Sequence, residues 1–247
     1  KVWERNLGEV KIGASLGEGC SPVLYKDKLV ILRDNRGQST IQVLNAKNGE
    51  TIWMKNRNTR NGWATPAVVE HEGTTQVITT ASRPDAGNRN SPGKVISYDL
   101  ENGNVIWECS GLTDNAIPCP IVEDGIAYCM TGYQGFSSLA VPISGKGDQS
   151  ENILWRRELG TPYVPSPILY DGLLYFTQSN QAILSCVDAK TGKVLMERTR
   201  LPALSNVYAS LVGAGNHLYV VGRYGKTAVL KRTGKFDIVA TNTLADR

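Results

Sequence analysis

The sequence predicts an all-β protein assembled from repeats of one four-stranded antiparallel sheet, and three observations carry that prediction. Short apolar runs are separated by turns that use many of the chain's 25 glycines. A Ser/Thr/Cys-Pro-apolar segment recurs at Pro22, Pro66, Pro120 and Pro167, at spacings of 44 to 54 residues. Tryptophans recur at Trp3, Trp53, Trp107 and Trp155, at spacings of 48 to 54 residues. Two independent markers share one period without helical spacing, and a period of about 40–50 residues describes the blades of a β-propeller. About five blades and one partial blade are present.

Each copy divides into four strands. The first is the x-Pro-apolar run, as in Ser166-Pro167-Ile168-Leu169-Tyr170. Asp171-Gly172 and Asp124-Gly125 then make tight hairpin turns, because glycine accepts the positive φ that such turns need. A Leu173–Phe176 type of run forms the second strand, and the third ends at Asp188 or its equivalents Asp99 and Asn45. Lys-Thr-Gly, Glu-Asn-Gly or Lys-Asn-Gly turns the chain into the fourth strand, which carries the tryptophan. Apolar and polar residues alternate in the third and fourth strands, as in sheets stacked face to face. A degenerate fifth copy starts near Ser210 and places its fourth strand at Phe236–Ala240. The chain 1–247 reads as one domain, with a last strand of a preceding blade at 1–8 and blades at 9–57, 58–111, 112–160, 161–202 and 203–247.

Composition narrows the function classes. Lys plus Arg number 27 and Asp plus Glu 23, a net charge of +4. The basic residues near the end (Arg223, Lys226, Lys231, Arg232, Lys235) read as solvated outward faces, and no nucleic-acid partner is expected. No run approaches the roughly 18–20 apolar residues that cross a membrane, and Lys1–Arg5 lacks the apolar core of a signal peptide. The five cysteines form no C-x-x-C pair, so no zinc or redox motif is indicated. Cys129 and Cys186 read as small core residues, and the spacing of Cys109 and Cys119 allows a bridge without requiring one.

The x-Asp-x-x-Thr-Gly-x-x-x-Trp pattern resembles the tryptophan-docking motif of the pyrroloquinoline-quinone-like (PQQ-like) propeller repeats, found in quinoprotein alcohol dehydrogenases and in the outer-membrane assembly lipoprotein BamB. Asp99–Trp107 matches it, with Gly103 in the turn. Asp188–Met196 matches with Gly192 in the turn and Met for Trp. Asn45–Trp53 matches in part, and the copy ending at Trp155 weakly. The resemblance implies that Trp3, Trp53, Trp107 and Trp155 pack between blades, as suits a large aromatic with one N–H donor. It also implies a periplasmic or secreted location. The family closes with seven or eight blades, so Trp3 reads as the outer strand of an incomplete blade, and the remaining blades of a longer propeller are expected as partners.

A catalytic member would carry PQQ, calcium, an aspartate base and often two adjacent cysteines. No cysteines are adjacent here, the acidic residues lie in turns that already explain them, and no catalytic residue or metal ligand set is assembled. His71 and His217 read as loop residues far apart in the repeat. Asp34–Thr40 has a faint likeness to a calcium loop but lacks its terminal acidic ligand, and reads as a hairpin. Two insertions stand out: Ala81–Gly93, with Arg83, Asp85 and Arg89, and Gly145–Asn152, with Asp148. Long loops on a rigid scaffold often carry binding, and propeller topology places these two on opposite faces. The expected function is a non-catalytic scaffold that holds a protein or peptide against a propeller face, without a cofactor. The alternative is a PQQ- and calcium-dependent dehydrogenase or a degenerate relative of one.

Overall fold

The computed structural model describes residues 2–13 and 16–244; Lys1, in the expected partial blade, and 245–247, in the expected last blade, lie outside it. The first blade comprises β1 (Val23–Tyr25), β2 (Lys28–Arg33), β3 (Ser39–Asn45) and β4 (Thr51–Arg57), and the second β5 (Ala67–His71), β6 (Thr74–Ala81), β7 (Gly93–Asp99) and β8 (Val105–Leu112). The third contains β9 (Ile121–Glu123), β10 (Ile126–Thr131) and β11 (Ser137–Pro142). After the two-residue β12 (Gly147–Asp148) it is completed by β13 (Trp155–Arg157). β14 (Ile168–Tyr170), β15 (Leu173–Thr177), β16 (Ile183–Asp188) and β17 (Val194–Arg200) form the fourth. β18 (Val212–Ala214), β19 (His217–Val221), β20 (Lys226–Lys231) and β21 (Ile238–Thr243) form the fifth.

Each blade is an antiparallel meander. The first hairpins turn where the sequence places Asp-Gly: Asp124 and Gly125 have φ of 50° and 74°, and Asp171 and Gly172 have 50° and 71°. Two successive positive φ values match the right-handed twist of the flanking strands. His71 and His217 lie in strands, at the end of β5 and the start of β19, rather than in loops. β21 starts two residues later than expected, after the turn at Gly234.

Four apolar clusters fill the four spaces between successive blades. Val30, Ile41 and Val43 meet Val77 and Tyr98; Ile78, Val95 and Cys109 meet Ala127, Cys129 and Leu139. Tyr128 and Ala140 meet Leu174 and Val187; Leu184 and Cys186 meet Leu218 and Ala228. A middle strand is therefore covered on both sides. Leu44, Ser97, Ser138 and Ser185 are as buried as their apolar neighbours, so the alternation expected in the third strand has little expression in burial. The blades form an open arc. On its inner side, Ser21 N donates to Thr65 Oγ1 (3.1 Å), Cys119 N to Ser166 Oγ (3.0 Å) and Ser166 N to Ser210 Oγ (3.0 Å). The residue before each repeated proline thus ties its blade to another.

All five cysteines are free thiols. Cys109 lies in the core between the second and third blades and is not bridged to Cys119. Burial raises the thiol pKa of Cys20 and Cys186 to about 12 each, which keeps both protonated and unreactive.

Candidate interaction face

The tryptophan spacing has a geometric counterpart. Trp53 Nε1 donates to Leu100 O of the second blade (2.8 Å), and the ring covers Gly103, where a Cβ would come within 2.6 Å of Trp53 Cε3. Trp155 Nε1 donates to Ala189 O (2.7 Å) over Gly192, and Trp3 Nε1 to Ala46 O (2.8 Å) over Gly49. The turns beneath are fixed locally. Asp99 Oδ1 accepts from Glu101 N (2.7 Å), and Asp188 Oδ1 from Thr191 N (2.8 Å) and Thr191 Oγ1 (2.6 Å). Gly103 and Gly192 hold φ of 72° and 71°, where a side chain is strained.

Trp107 departs from this arrangement. It is fully buried, and its Nε1 donates to Gln76 Oε1 of its own blade (2.9 Å). Gln76 Oε1 also accepts from Ser97 Oγ (2.8 Å), and Gln76 Nε2 donates to Ile143 O of the third blade (2.9 Å). The chain leaving Ile143 forms no short Thr-Gly turn. It runs out along β8, where β12 pairs with it in parallel, Gly147 opposite Trp107 and Asp148 opposite Glu108. Ser150 Oγ then accepts from Ser110 N (2.9 Å).

This path corrects the expectation that the two insertions lie on opposite faces. The second leaves from the far side but climbs the outer edge of the second blade to reach the first. Arg89 and Pro92 of the first insertion and Ser150 and Glu151 of the second line one cavity of about 850 Å³, together with Ile153 and Arg156 just beyond the second. Of the residues expected to mark interaction loops, Arg89 and Asp85 are exposed. Asp148 is exposed on β12, and its Oδ1 accepts from Ser150 Oγ (2.5 Å) and Ser150 N (2.9 Å). These bonds from Ser150 hold the Asp148 carboxyl below its ordinary pKa. Arg83 is buried instead, its Nη1 on Asp114 Oδ2 at 2.9 Å.

Nearer the axis of the arc, a cavity of about 250 Å³ lies among the connections between blades. Trp63, Tyr133 and Tyr163 supply aromatic walls, Arg36 and Arg60 charge, and Asn61 a buried amide. Beneath it lies a polar joint that the sequence reading missed. Arg57, at the end of β4, holds Asp34 through two bonds (Nε to Oδ1 2.8 Å, Nη2 to Oδ2 3.1 Å) and donates to Thr79 Oγ1 (2.9 Å) and Tyr98 OH (2.8 Å) of the second blade. Both charged side chains are fully buried. Burial pushes the Asp34 carboxyl above its ordinary value although Arg57 pulls it down. Burial alone would pull Arg57 down, but Asp34 and Tyr98 hold it above its ordinary value. Asp34 is thus part of the joint between blades, with both its carboxylate oxygens taken by Arg57. Among the described residues no group of three or more His, Cys, Asp or Glu could hold a metal ion.

Fold and joints together define an open β-propeller of PQQ-like repeats. The family described as "Outer membrane protein assembly factor BamB" matches residues 2–198, and the chain belongs to that family. Among solved structures, BamB from Moraxella catarrhalis is similar at a TM-score of 0.60 and 13% identity, over 92% of this chain and 76% of that one. A quinohemoprotein alcohol dehydrogenase from Comamonas testosteroni gives 0.59 and 12%, over 93% and 43%. Another, from Pseudomonas putida HK5, gives 0.65 and 12%, over 96% and 43%. The chain thus spans under half the length of these dehydrogenases. No curated protein matches the sequence. At such identities the structures show the fold alone. No helix is long and apolar enough to cross a membrane among the described residues.

Proposed function

We propose that the chain is a non-catalytic propeller scaffold that holds a partner polypeptide in the groove between its second and third blades. The observation that carries this reading is the convergence of two sequence-distant insertions on one open cavity. Loops displayed on a rigid scaffold are where binding concentrates. The groove offers the arginines Arg89 and Arg156, the carboxylates Glu151 and Glu158, and the apolar Phe136 and Ile153. That mixture suits a polypeptide better than a small apolar ligand. The family's description as an assembly factor of outer membrane proteins supports a protein partner and a periplasmic location. In this reading Trp3, Trp53 and Trp155 are docking residues that keep the groove's frame rigid.

The similarity to quinohemoprotein dehydrogenases favours a second reading, in which PQQ and calcium bind near the centre of the same face. The residues there do not fit it well. Among the described residues Asp114 is the one carboxylate lining the central cavity, and Arg83 already occupies it. No two cysteines are adjacent in the sequence.

One experiment tests both. A photo-reactive residue is placed in the chain, in its native host, at Arg89, at Glu151 and, as control, at Lys190. The scaffold reading expects the same partner to crosslink at 89 and 151 and not at 190. Crosslinks of equal yield at all three would sink it. Saturable uptake of PQQ with calcium by the purified chain would favour the dehydrogenase reading.

A further inference from the structure

We propose that the central cavity binds an acidic sugar, a uronate residue of an oligosaccharide. The site adjoins the rim groove, with Gln134 lining both, and involves no polypeptide. Four observations converge on this chemistry.

The walls are aromatic and held in place. Tyr133, 38% exposed, stacks on Tyr163 at 4.9 Å between ring centroids and 22° between planes. Asn115 Nδ2 donates to Tyr163 OH (3.3 Å), and Trp63 Nε1 donates to Gly17 O (2.9 Å). Rigid aromatic faces with polar tips suit the C–H face and hydroxyl rim of a pyranose. At about 250 Å³ the cavity falls just below the range of about 300–1,000 Å³ usual for drug-sized ligands, which suits a single ring with its neighbours leading out into solvent.

The uncompensated charge is positive. Neither Arg36 nor Arg60 pairs with a carboxylate among the described residues, whereas Asp114 is neutralised by Arg83 at 2.9 Å. Guanidinium groups bind a carboxylate through parallel hydrogen bonds, so an acid is selected over its neutral counterpart. A buried acceptor also waits for a donor. Asn61 Oδ1 is shielded from solvent and has no hydrogen-bond partner, and the residue is only 8% exposed. Such an atom is costly unless something supplies an N–H or O–H, and a sugar hydroxyl would. Finally, the backbone is strained at this cavity: Asn115 and Gln134 both hold φ of 53°. Non-glycine residues in the left-handed region cluster at ligand clamps.

The test is calorimetric titration of the whole chain with trigalacturonate, with its neutral methyl ester and with acetate. The acid should bind saturably and about tenfold or more tighter than the ester, a gap worth one charge-assisted contact. Acetate alone should not bind measurably. Arg60→Gln and Tyr133→Ala should each weaken trigalacturonate about tenfold or more while melting like the unaltered chain. Arg89→Glu, in the rim groove, should leave sugar affinity unchanged, so that the scaffold reading and this site fail separately. Equal affinity for acid and ester would overturn the proposal. So would acetate binding as well as the sugar, affinity that survives both variants, or no binding of trigalacturonate by the folded chain.

Discussion

The joint between the first and second blades and the joint between the second and third solve the same problem differently. At the first, Trp53 reaches across to Leu100 O and covers Gly103, and Arg57 carries a buried charge from β4 into the second blade. At the second, Trp107 turns to Gln76 in its own blade, and the crossing is made by Gln76 to Ile143 O and by β12 along β8. The first joint has a short turn for the indole to rest on. The second lacks that turn because Gly145–Asn152 has been spent on lining a groove. A repeat scaffold can therefore exchange its regular joint for an insertion that lines a groove, provided that another set of hydrogen bonds closes the gap.

Substitutions should separate the two joints. The largest effect is expected at Arg57: Arg57→Leu leaves Asp34 buried without its partner and should cost about 3–5 kcal/mol in denaturant melts. The double variant Arg57→Leu/Asp34→Leu should recover most of that loss, since removing both charges removes the desolvation cost. Loss of the same size in the double variant would mean that the pair is not what matters. Trp107→Ala should cost about 3–5 kcal/mol as a large, fully buried aromatic. A melting curve unchanged by it would contradict the blade assignment.

A smaller effect distinguishes glycines that carry an indole from those that do not. Gly103→Ala meets both a positive φ of 72° and the Trp53 ring, whereas Gly73→Ala meets a φ of 77° and open space. We expect about 1–2 kcal/mol of backbone strain at Gly73 and about 1 kcal/mol more at Gly103, where the ring must also give way. Equal losses would mean that the indole does not press on the turn. The smallest effect concerns pH. Bonds from the Thr191 side chain, then its backbone, hold the Asp188 carboxyl below its ordinary value. The associated stability is present above the unfolded-state value and is lost as pH falls through the lower folded-state value. Asp188→Asn should flatten that acid limb of the melting profile, and a limb unchanged in the variant would place its origin elsewhere.

The repeated joint was legible in the sequence because its geometry demands particular residues. Only glycine tolerates both the φ and the indole at positions 49, 103 and 192, and Trp3, Trp53 and Trp155 recur opposite them. What escaped had no such signature. β12 pairs through backbone alone, so Gly147-Asp148 carries no strand pattern, and its climb along β8 could not be read from loop length. Arg83 sits in a polar run typical of exposed loops, yet Asp114, far along the chain, draws it inward. Asp34 sits in hairpin-forming sequence, and its partner Arg57 ends the fourth strand of the same blade. Buried pairs between distant polar residues look like surface residues until the fold brings them together.

The most direct test of the rebuilt joint is a pair of double-mutant cycles by chemical denaturation, coupling Gln76→Leu first with Trp107→Phe and then with Trp53→Phe. Phenylalanine removes the indole N–H while keeping an aromatic ring. We expect a coupling energy of about 0.5–1.5 kcal/mol between Gln76 and Trp107, the worth of one buried hydrogen bond. Between Gln76 and Trp53 the effects should add within about 0.3–0.5 kcal/mol. Additivity in the Trp107 cycle, or equal coupling in both, would contradict the claim that the second joint is built differently from the first.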